Sequence, residues 1–443
     1  MRAEEYDTKI GLETFTTKSL GIGGRLRQSP EDFIVQEIGL DGSIAPLTPT
    51  EQTYTDQPGK FLAFFLVKRN LDTIQAIRVL SKTVGVSYKR FSYAGMKDRR
   101  AITSQRVSFY RGTRQDLIGR EIPKIQLLHP HRVAKPTVPG ALQGNRFTIT
   151  VREVNLPKKE VQHRLTSIRN DHKAVGGFLN YYGPQRFGIM QPTTHLVGRE
   201  LIRGNFEEAV KILLQGEAPT YNEEEDLAEE TDDARSQHSR FGAPYQTYER
   251  AITHYLNKHP EDFTGCLKVI PKDLARLYIH AYQSFIFNRV ISKRASLGIS
   301  LQQPQVGDYI MPISGEIHAV RSITKENLTT AETAVKTGTQ KLVIPIIGYD
   351  FETVEFAGVP GDIITSVLEE ENVAPEFFRI KDFPVLSSRG TFRPLLVDAK
   401  NLEAQVFEEK DDTPVTIRFD LAKGSYASVI LREIIKPDYP TQL

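Results

Sequence analysis

One aspartate surrounded by cations is the residue of this sequence best suited to covalent chemistry. Asp98 lies in the stretch 93–106, YAGMKDRRAITSQR, with Lys97 before it and two arginines after it. Neighbouring cations favour an ionised carboxylate at neutral pH. An ionised carboxylate can act as a nucleophile or accept a proton. The local sequence also fits an aspartate in a surface ion pair, so the surrounding pattern has to decide between the two.

The signatures of several other enzyme classes are missing. The sequence contains no G-x-x-x-x-G-K-[ST] phosphate loop, no G-x-G-x-x-G opening a helix after a strand, and no G-x-S-x-G elbow. His129 and His131 form the one close histidine pair, and no further metal ligands accompany them. An aspartyl phosphatase would need an Asp-x-Asp pair with Mg²⁺, and a retaining glycosidase would need two nearby acids. Asp98 has only cations beside it, which disfavours both classes.

The elements that must position Asp98 are predicted to be short strands with few helices. Alternating apolar residues and turn signals place Asp98 in a glycine-initiated loop between two strands. In the first part of the chain we expect strands at 25–38, 60–69, 105–110, 125–129 and 146–154, and helices at 72–83 and 157–172.

The pattern changes after Gly198, where helical spacing dominates before strands return. We expect helices at 198–215, 246–258, 271–297, 362–378 and 425–436, the last with Ser425 as its N-cap. We expect β-rich segments at 305–323, 341–355, 391–407 and 414–419. Strand-rich ends around a helix-rich middle predict an α+β catalytic unit that is interrupted by an inserted domain.

The charge of the chain is segregated although its net charge is only +2. Residues 222–233 hold eight carboxylates and no lysine or arginine, a pattern typical of a solvated, mobile loop. Residues 81–136 hold thirteen lysines and arginines against three carboxylates. This basic stretch indicates a polyanionic partner, although cations spread over a solvated surface would give the same count.

Length and composition indicate an ordinary globular protein of two or three domains. The 443 residues are 39% hydrophobic and 25% charged. The single cysteine, Cys266, cannot form an internal disulfide and indicates a reducing compartment. The longest apolar run, 61–67, is far too short to cross a bilayer, and the first residues lack an apolar leader. We therefore expect a cytoplasmic protein with no membrane partner.

Several segments resemble, in order along the chain, the motifs of the TruD family of tRNA pseudouridine synthases. The stretch around Asp98 is similar to the family signature. The other matching segments are 30–38 (PEDFIVQEI), 144–147 (GNRF), 180–188 (NYYGPQRFG), 281–292 (AYQSFIFNRVIS) and 423–433 (KGSYASVILRE). Together they extend over nearly the whole chain.

The resemblance implies both a fold and a reaction. The fold is an α+β pseudouridine synthase catalytic domain of antiparallel sheet and helices, formed by 1–176 and 398–443, with an inserted α+β TRUD domain at 177–397. The reaction is isomerisation of a uridine in tRNA, placed by the family at position 13. The uracil is detached at N1, rotated and rejoined to the ribose through C5. No cofactor or metal is needed, and we expect a monomer whose partner is tRNA.

The resemblance also assigns roles to individual residues. Asp98 becomes the nucleophile, which attacks either C6 of the base or C1′ of the ribose. Asn180 and Tyr182 match family positions at the pocket. Most members carry phenylalanine where Tyr182 stands, and a tyrosine ring can equally stack on a flipped-out base.

Further residues are candidates for substrate binding. Phe33 and Glu37 lie four apart on one predicted strand, so they face the same side and could line the cleft, or simply belong to a half-buried strand. The candidate partners of Asp98 or of RNA phosphates are Lys97, Arg186, Arg389 and Arg393. A tRNA-binding protein or RNA chaperone without turnover is the alternative function, and the intact Asp98 argues against it.

Overall fold

The computed structural model describes residues 2–189, 191–215, 245–315, 317–408, 412–439 and 442. The acidic run predicted to form a solvated loop, 222–233, lies outside these residues. Among the helices that the model describes, none combines the length and apolarity required to cross a membrane.

The strands fall into an early group, a middle group and a late group. They are β1 (Phe33–Ile38), β2 (Phe61–Arg69), β3 (Phe91–Tyr93), β4 (Ile102–Tyr110), β5 (Ile125–Val133), β6 (Gly144–Val151), β7 (Phe178–Leu179), β8 (Tyr309–Pro312), β9 (Arg321–Ser322), β10 (Gln340–Ile346), β11 (Thr391–Pro394), β12 (Leu396–Val397), β13 (Lys400–Val406) and β14 (Val415–Ala422).

The helices are concentrated in the middle of the chain, as the spacing of apolar residues predicts. They are α1 (Ala3–Lys9), α2 (Thr73–Val84), α3 (Arg114–Leu117), α4 (Lys158–Val175), α5 (Thr194–Ile202), α6 (Phe206–Gln215), α7 (Tyr245–Lys258), α8 (Phe263–Leu267), α9 (Lys272–Ser296), α10 (Leu328–Lys336), α11 (Gly358–Glu370) and α12 (Ala427–Ile435).

The main sheet contains strands from both ends of the chain. The loop that holds Asp98 enters β4, one of its inner strands. Its order is β13-β14-β6-β1-β4-β2-β5, and β3 pairs with β4. β1 and β4 are parallel, with Ile34 opposite Ile102, whereas the other pairs are antiparallel. Because the two parallel strands start together, the loop that enters β4 lies beside the residues that enter β1.

Two cores pack against this sheet. Phe147 and Phe419 lie in a cluster with Ile168 of α4 and Ile430 of α12. A second cluster joins β2 and β4 to α2 through residues such as Ile77. α2 begins at Asp72, whose carboxylate accepts a hydrogen bond from the Gln75 amide, and it ends at a left-handed glycine.

The middle of the chain forms its own core around α9, a helix of 25 residues that is buried along most of its length. A four-stranded sheet of order β11-β10-β8-β9 and the helices α5, α6 and α11 surround it. Tyr6 and Leu12 from the start of the chain and Tyr426 and Val429 from its end pack into the same cluster. The first helix therefore contacts the predicted insertion.

Several local predictions were wrong: the strand at 25–38 begins only at Phe33, and the helix at 362–378 ends at Glu370. The segment 198–215 is two helices and not one, because Gly204 adopts a left-handed φ of 77° between α5 and α6. The segment 341–355 is a strand only as far as Ile346, and a 3-10 turn follows. Ser425 does not cap the last helix, which begins after Tyr426 without a side-chain cap.

Candidate active site

Asp98 lies in the loop between β3 and β4, and its side chain is 41% exposed. One carboxylate oxygen is 3.4 Å from Nη2 of Arg27, a cation that sequence reasoning missed. The guanidinium of Arg27 also lies over the ring of Phe33, 4.0 Å from its centroid. Arg27 therefore connects the carboxylate to the first residue of β1.

The backbone of Arg27 is unusual for a residue with a side chain. Its φ of 59° lies in the left-handed region, which costs a non-glycine residue free energy. The turn that contains Asp32 follows Arg27 in the chain. Arg152 fixes this turn by donating a hydrogen bond of 2.8 Å to the buried carboxylate of Asp32. Strained backbone beside a reactive group is a feature that functional sites often have.

Lys97 and Glu37 form a buried ion pair, 3.5 Å apart, with side chains 2% and 1% exposed. Glu37 also accepts a hydrogen bond of 3.1 Å from the backbone amide of Arg106. Phe33 is buried under Arg27. These three predicted binding residues thus lie in the interior next to the Asp98 loop.

A cavity of about 1590 Å³ opens between the main sheet and the middle unit. Four of the predicted site residues line it, namely Asn180, Tyr182, Arg186 and Arg393. The motif 180–188 follows β7 and supplies three of them, and β11 supplies the fourth.

A guanidinium lies over one aromatic residue of this cavity, Tyr182, which is 5% exposed. Cζ of Arg393 lies 4.1 Å from the ring centroid of Tyr182, within cation–π distance. Arg393 also donates to the backbone carbonyl and the side-chain oxygen of Asn180, at 3.0 and 2.9 Å. Asn180 in turn donates to the carbonyl of Pro394. The amide, the ring and the guanidinium therefore form one rigid assembly.

Several cations line the cavity, together with the carboxylates of Glu332 and Asp398. Lys341, Lys400 and Lys423 line it. Burial, followed by the nearby charge of Lys400, lowers the pKa of Lys341. Arg146 forms a bidentate pair with Asp420 at 2.7 and 2.8 Å, so this guanidinium is neutralised within the protein.

The predicted site residues occupy two neighbouring groups. The Asp98 group includes Phe33, Glu37 and Lys97, and the Tyr182 group lines the cavity. Asp98 itself does not line the cavity, but the amide of Gly140, a cavity residue, donates to the carbonyl of Ala94 at the start of the Asp98 loop.

Arg389 belongs to neither group. It donates to the Tyr349 hydroxyl at 3.0 Å, on the surface of the middle unit. Within the described part of the chain, no cluster of three or more His, Cys, Asp or Glu side chains is placed to hold a metal ion.

Comparison with known proteins identifies the family. The model of the family "tRNA pseudouridine synthase D (TruD)" matches residues 9–434. A "Probable tRNA pseudouridine synthase D" from Methanococcoides burtonii is 35% identical, covering 97% of each chain. A relative of the same name from Thermococcus sibiricus is 31% identical over 95% of this chain and 97% of its own. The crystal structure of the TruD protein of Methanosarcina mazei superposes with a TM-score of 0.81 at 32% identity, over 99% of both chains.

The fold and these matches define a pseudouridine synthase, an α+β enzyme of the isomerase class. Within that class, the chain belongs to the tRNA pseudouridine synthase D family. The resemblance, the fold class and the enzyme class predicted from the motifs are thereby confirmed.

Proposed function

We propose that this enzyme converts the uridine at position 13 of tRNA into pseudouridine, with Asp98 as the nucleophile. The carboxylate adds to C1′ or to C6 and holds the fragments together. The N1–C1′ bond breaks, the uracil turns, a C5–C1′ bond forms, and the bond to the Asp98 carboxylate breaks, which frees the enzyme. The proton at C5 is released and N1 gains one, so no redox partner is consumed.

The setting of Asp98 is the observation that carries this proposal. Its carboxylate is exposed together with the two arginines that follow it, whereas Gly95 and Lys97 before it are buried, and the guanidinium of Arg27 contacts it. A nucleophile must be both accessible and held in position, and this arrangement supplies both. The nearby ion pair of Glu37 and Lys97 is enclosed and has no comparable access.

The cavity supports the proposal that the target base leaves its helix. A stacked uridine cannot reach a carboxylate, so the enzyme must flip the nucleotide out and hold it on a flat surface. Tyr182, fixed by Arg393, is the aromatic residue of the motif 180–188 that lines the cavity. Asn180 and Arg186 are buried beside the ring in the wall of the cavity.

The cations around the cavity support tRNA as the substrate. Lys341, Lys400 and Lys423 line the opening, and the basic stretch 81–136 forms part of the adjoining sheet and its loops. Folded RNA is recognised through its backbone and its unstacked bases, for which cations and planar groups are suited. Affinity should therefore fall steeply with added salt.

We also propose that 1–176 and 398–443 form the catalytic domain and that 177–397 is inserted into it. In support, the strands of the main sheet come only from 33–151 and 400–422, whereas the four-stranded sheet comes from 309–394. A cytoplasmic monomer remains our prediction from the sequence, and sedimentation of the purified enzyme with and without tRNA would measure the oligomeric state.

The test uses tRNA transcripts labelled with tritium at C5 of uridine. We expect the intact enzyme to release tritium from a transcript with uridine at position 13 and not from one with cytidine there. Asp98→Asn should bind the transcript with unchanged affinity and lose more than about 1000-fold in rate. Glu121→Gln, which neutralises an exposed carboxylate in the same basic stretch, should stay active.

Each failure has a distinct meaning. Release by Asp98→Asn would exclude this carboxylate as the nucleophile. Binding without release by the intact enzyme would favour the RNA-binding alternative. Release from the cytidine-13 transcript would show that the modified uridine lies elsewhere.

A further inference from the structure

Lys68 is a buried charged residue near the end of an apolar strand. β2 reads FLAFFLVKR, and Lys68 is 1% exposed, between Thr103 on β4 and Ile125 on β5. A lysine is almost never fully buried unless its ammonium is satisfied, because removing the charge from water is costly. The hydrogen-bond acceptors of the Lys68 ammonium therefore indicate the role of this charge.

All three partners of Lys68 are backbone carbonyls. Nζ donates to Leu71 at 2.7 Å, to Lys97 at 3.0 Å and to Asp98 at 2.8 Å. An ammonium has three protons to donate, so these acceptors use its full capacity. Two of the three carbonyls belong to the Asp98 loop, one of them to Asp98 itself.

Two further buried side chains hold the same loop. The hydroxyl of Thr73 accepts a hydrogen bond from the Lys97 amide at 2.9 Å and donates to the Gln105 side chain at 2.9 Å. Gln105 donates to the carbonyl of Gly95 at 2.8 Å. Thr73 and Gln105 are both fully buried. The loop backbone from 95 to 98 is thus bound at four points, while the carboxylate of Asp98 remains open to solvent.

We propose that Lys68 is a positioning residue for the reaction: with Thr73 and Gln105, its buried ammonium fixes the loop backbone so that the Asp98 carboxylate faces the substrate. This inference rests on the proposed role of Asp98. A fixed attack geometry matters because a small displacement of a reacting group lowers the rate of the chemical step far more than it lowers binding.

The charges around Lys68 give the proposal a signature in pH. Asp98 and Asp72 attract its ammonium, and Lys97 repels it. Burial is the larger effect and lowers the pKa of Lys68 to about 7. Above that pH the neutral amine keeps two protons for three carbonyls, so one of the three bonds is lost, and two of those three hold the Asp98 loop. The rate of the chemical step should therefore decline as pH rises through about 7.

The experiment compares single-turnover rate constants and tRNA dissociation constants of the full-length enzyme. We expect Lys68→Met and Thr73→Val to slow the single-turnover step by about 10- to 100-fold, with the dissociation constant changed by less than about twofold. Thr73→Ser keeps the hydroxyl and should recover most of the rate. Lys60→Met removes an exposed lysine at the other end of β2 and is the matched control.

Two more readouts separate positioning from general stability. Lys68→Met should lose the decline in rate above neutral pH. Hydrogen exchange of the Lys97 amide should accelerate in Thr73→Val and not in Thr73→Ser. If Lys68→Met does not fold, the comparison of Thr73→Val with Thr73→Ser, including the exchange rate of the Lys97 amide, still tests the loop. Thr73 contacts the same backbone.

The proposal is overturned if folded Lys68→Met, or Thr73→Val in its place, retains the single-turnover rate of the intact enzyme. It is equally overturned if rate and affinity fall together, as they would for a purely structural role. Activity of Asp98→Asn would instead overturn the proposed nucleophile. An inactive Asp98→Asn beside a fully active Lys68→Met would leave the nucleophile standing and remove only the positioning role.

Discussion

At the residue scale, the partner of Asp98 is a cation 71 positions away in the chain. Arg27, whose backbone is left-handed, contacts the carboxylate at 3.4 Å and covers the ring of Phe33. The aromatic ring limits where the guanidinium can move. One side chain therefore supplies both the charge and the support beside the candidate nucleophile.

Replacing Arg27 should impair the chemical step more than the binding step. We expect Arg27→Met to lower the single-turnover rate by about 10- to 100-fold, since it removes the positive charge beside the reacting carboxylate. Arg27→Lys keeps the charge without the planar group over Phe33. Its single-turnover rate should lie between those of the intact enzyme and Arg27→Met. Tritium release and filter binding of tRNA measure the two steps.

Arg25→Met is the matched control for that prediction. Arg25 lies two residues earlier and pairs with Glu153 on the surface, at 3.3 Å. Its variant should keep the rate of the intact enzyme. Equal losses in Arg27→Met and Arg25→Met would mean that the surface charge of this segment matters and the contact with Asp98 does not.

The residues of the site could be predicted from motifs, but their partners could not. The motif 180–188 led to Asn180, Tyr182 and Arg186, and the structure places all three on one cavity. Nothing local marks Arg27, because its contact with Asp98 exists only once β1 and β4 lie side by side. The position of Arg27, three residues before the segment 30–38, was the one available signal.

At the element scale, sequence patterns located most helices and strands. They failed where tertiary contacts determine the bounds of an element. β2 and α2 lie within one residue of the predicted bounds, because apolar spacing and the Asp72 cap act locally. The break between α5 and α6 depends on one glycine inside a continuous apolar pattern. The end of β10 at Ile346 reflects the extent of its partner strands, which a single sequence does not show.

Gly198 shows how one residue lets two helices approach. It lies on α5, and a Cβ atom there would be 1.9 Å from the carbonyl oxygen of Tyr278 on α9. In an open helix, alanine would stabilise by about 1 kcal/mol relative to glycine. Here we expect Gly198→Ala to destabilise by about 1 to 3 kcal/mol, because α5 must move away from α9. Urea denaturation measures the sign of the change in the free energy of unfolding. A more stable variant would show that α5 and α9 can accommodate the added methyl group.

At the scale of the whole molecule, the two ends of the chain meet beside the middle unit. Arg432 of α12 donates to Asp7 at 2.6 Å and to the carbonyls of Thr14 and Leu12 at 3.0 and 3.1 Å. Burial raises the pKa of Asp7, and the charge of Arg432 acts against this rise. The segment 7–14 is therefore bound to the last helix, and both pack onto the core around α9.

Through this arrangement the start of the chain supports the Tyr182 motif almost two hundred residues later. The buried hydroxyl of Tyr6 donates to the carbonyl of Gly188 at 2.6 Å, at the end of the motif 180–188. Tyr6→Phe removes that donor and leaves a buried carbonyl without it. We expect a loss of about 1 to 2 kcal/mol in the free energy of unfolding.

The same change should weaken tRNA binding several-fold, because a looser motif presents Tyr182 less often in its binding position. The rate of the chemical step at saturating tRNA should change less, since Asp98 and its loop belong to the main sheet. Tyr439→Phe, at an exposed ring near the other terminus, is the control for loss of a hydroxyl. If Tyr6→Phe lowers stability without altering tRNA affinity, the first helix supports the core alone, and the motif holds its shape without help from the start of the chain.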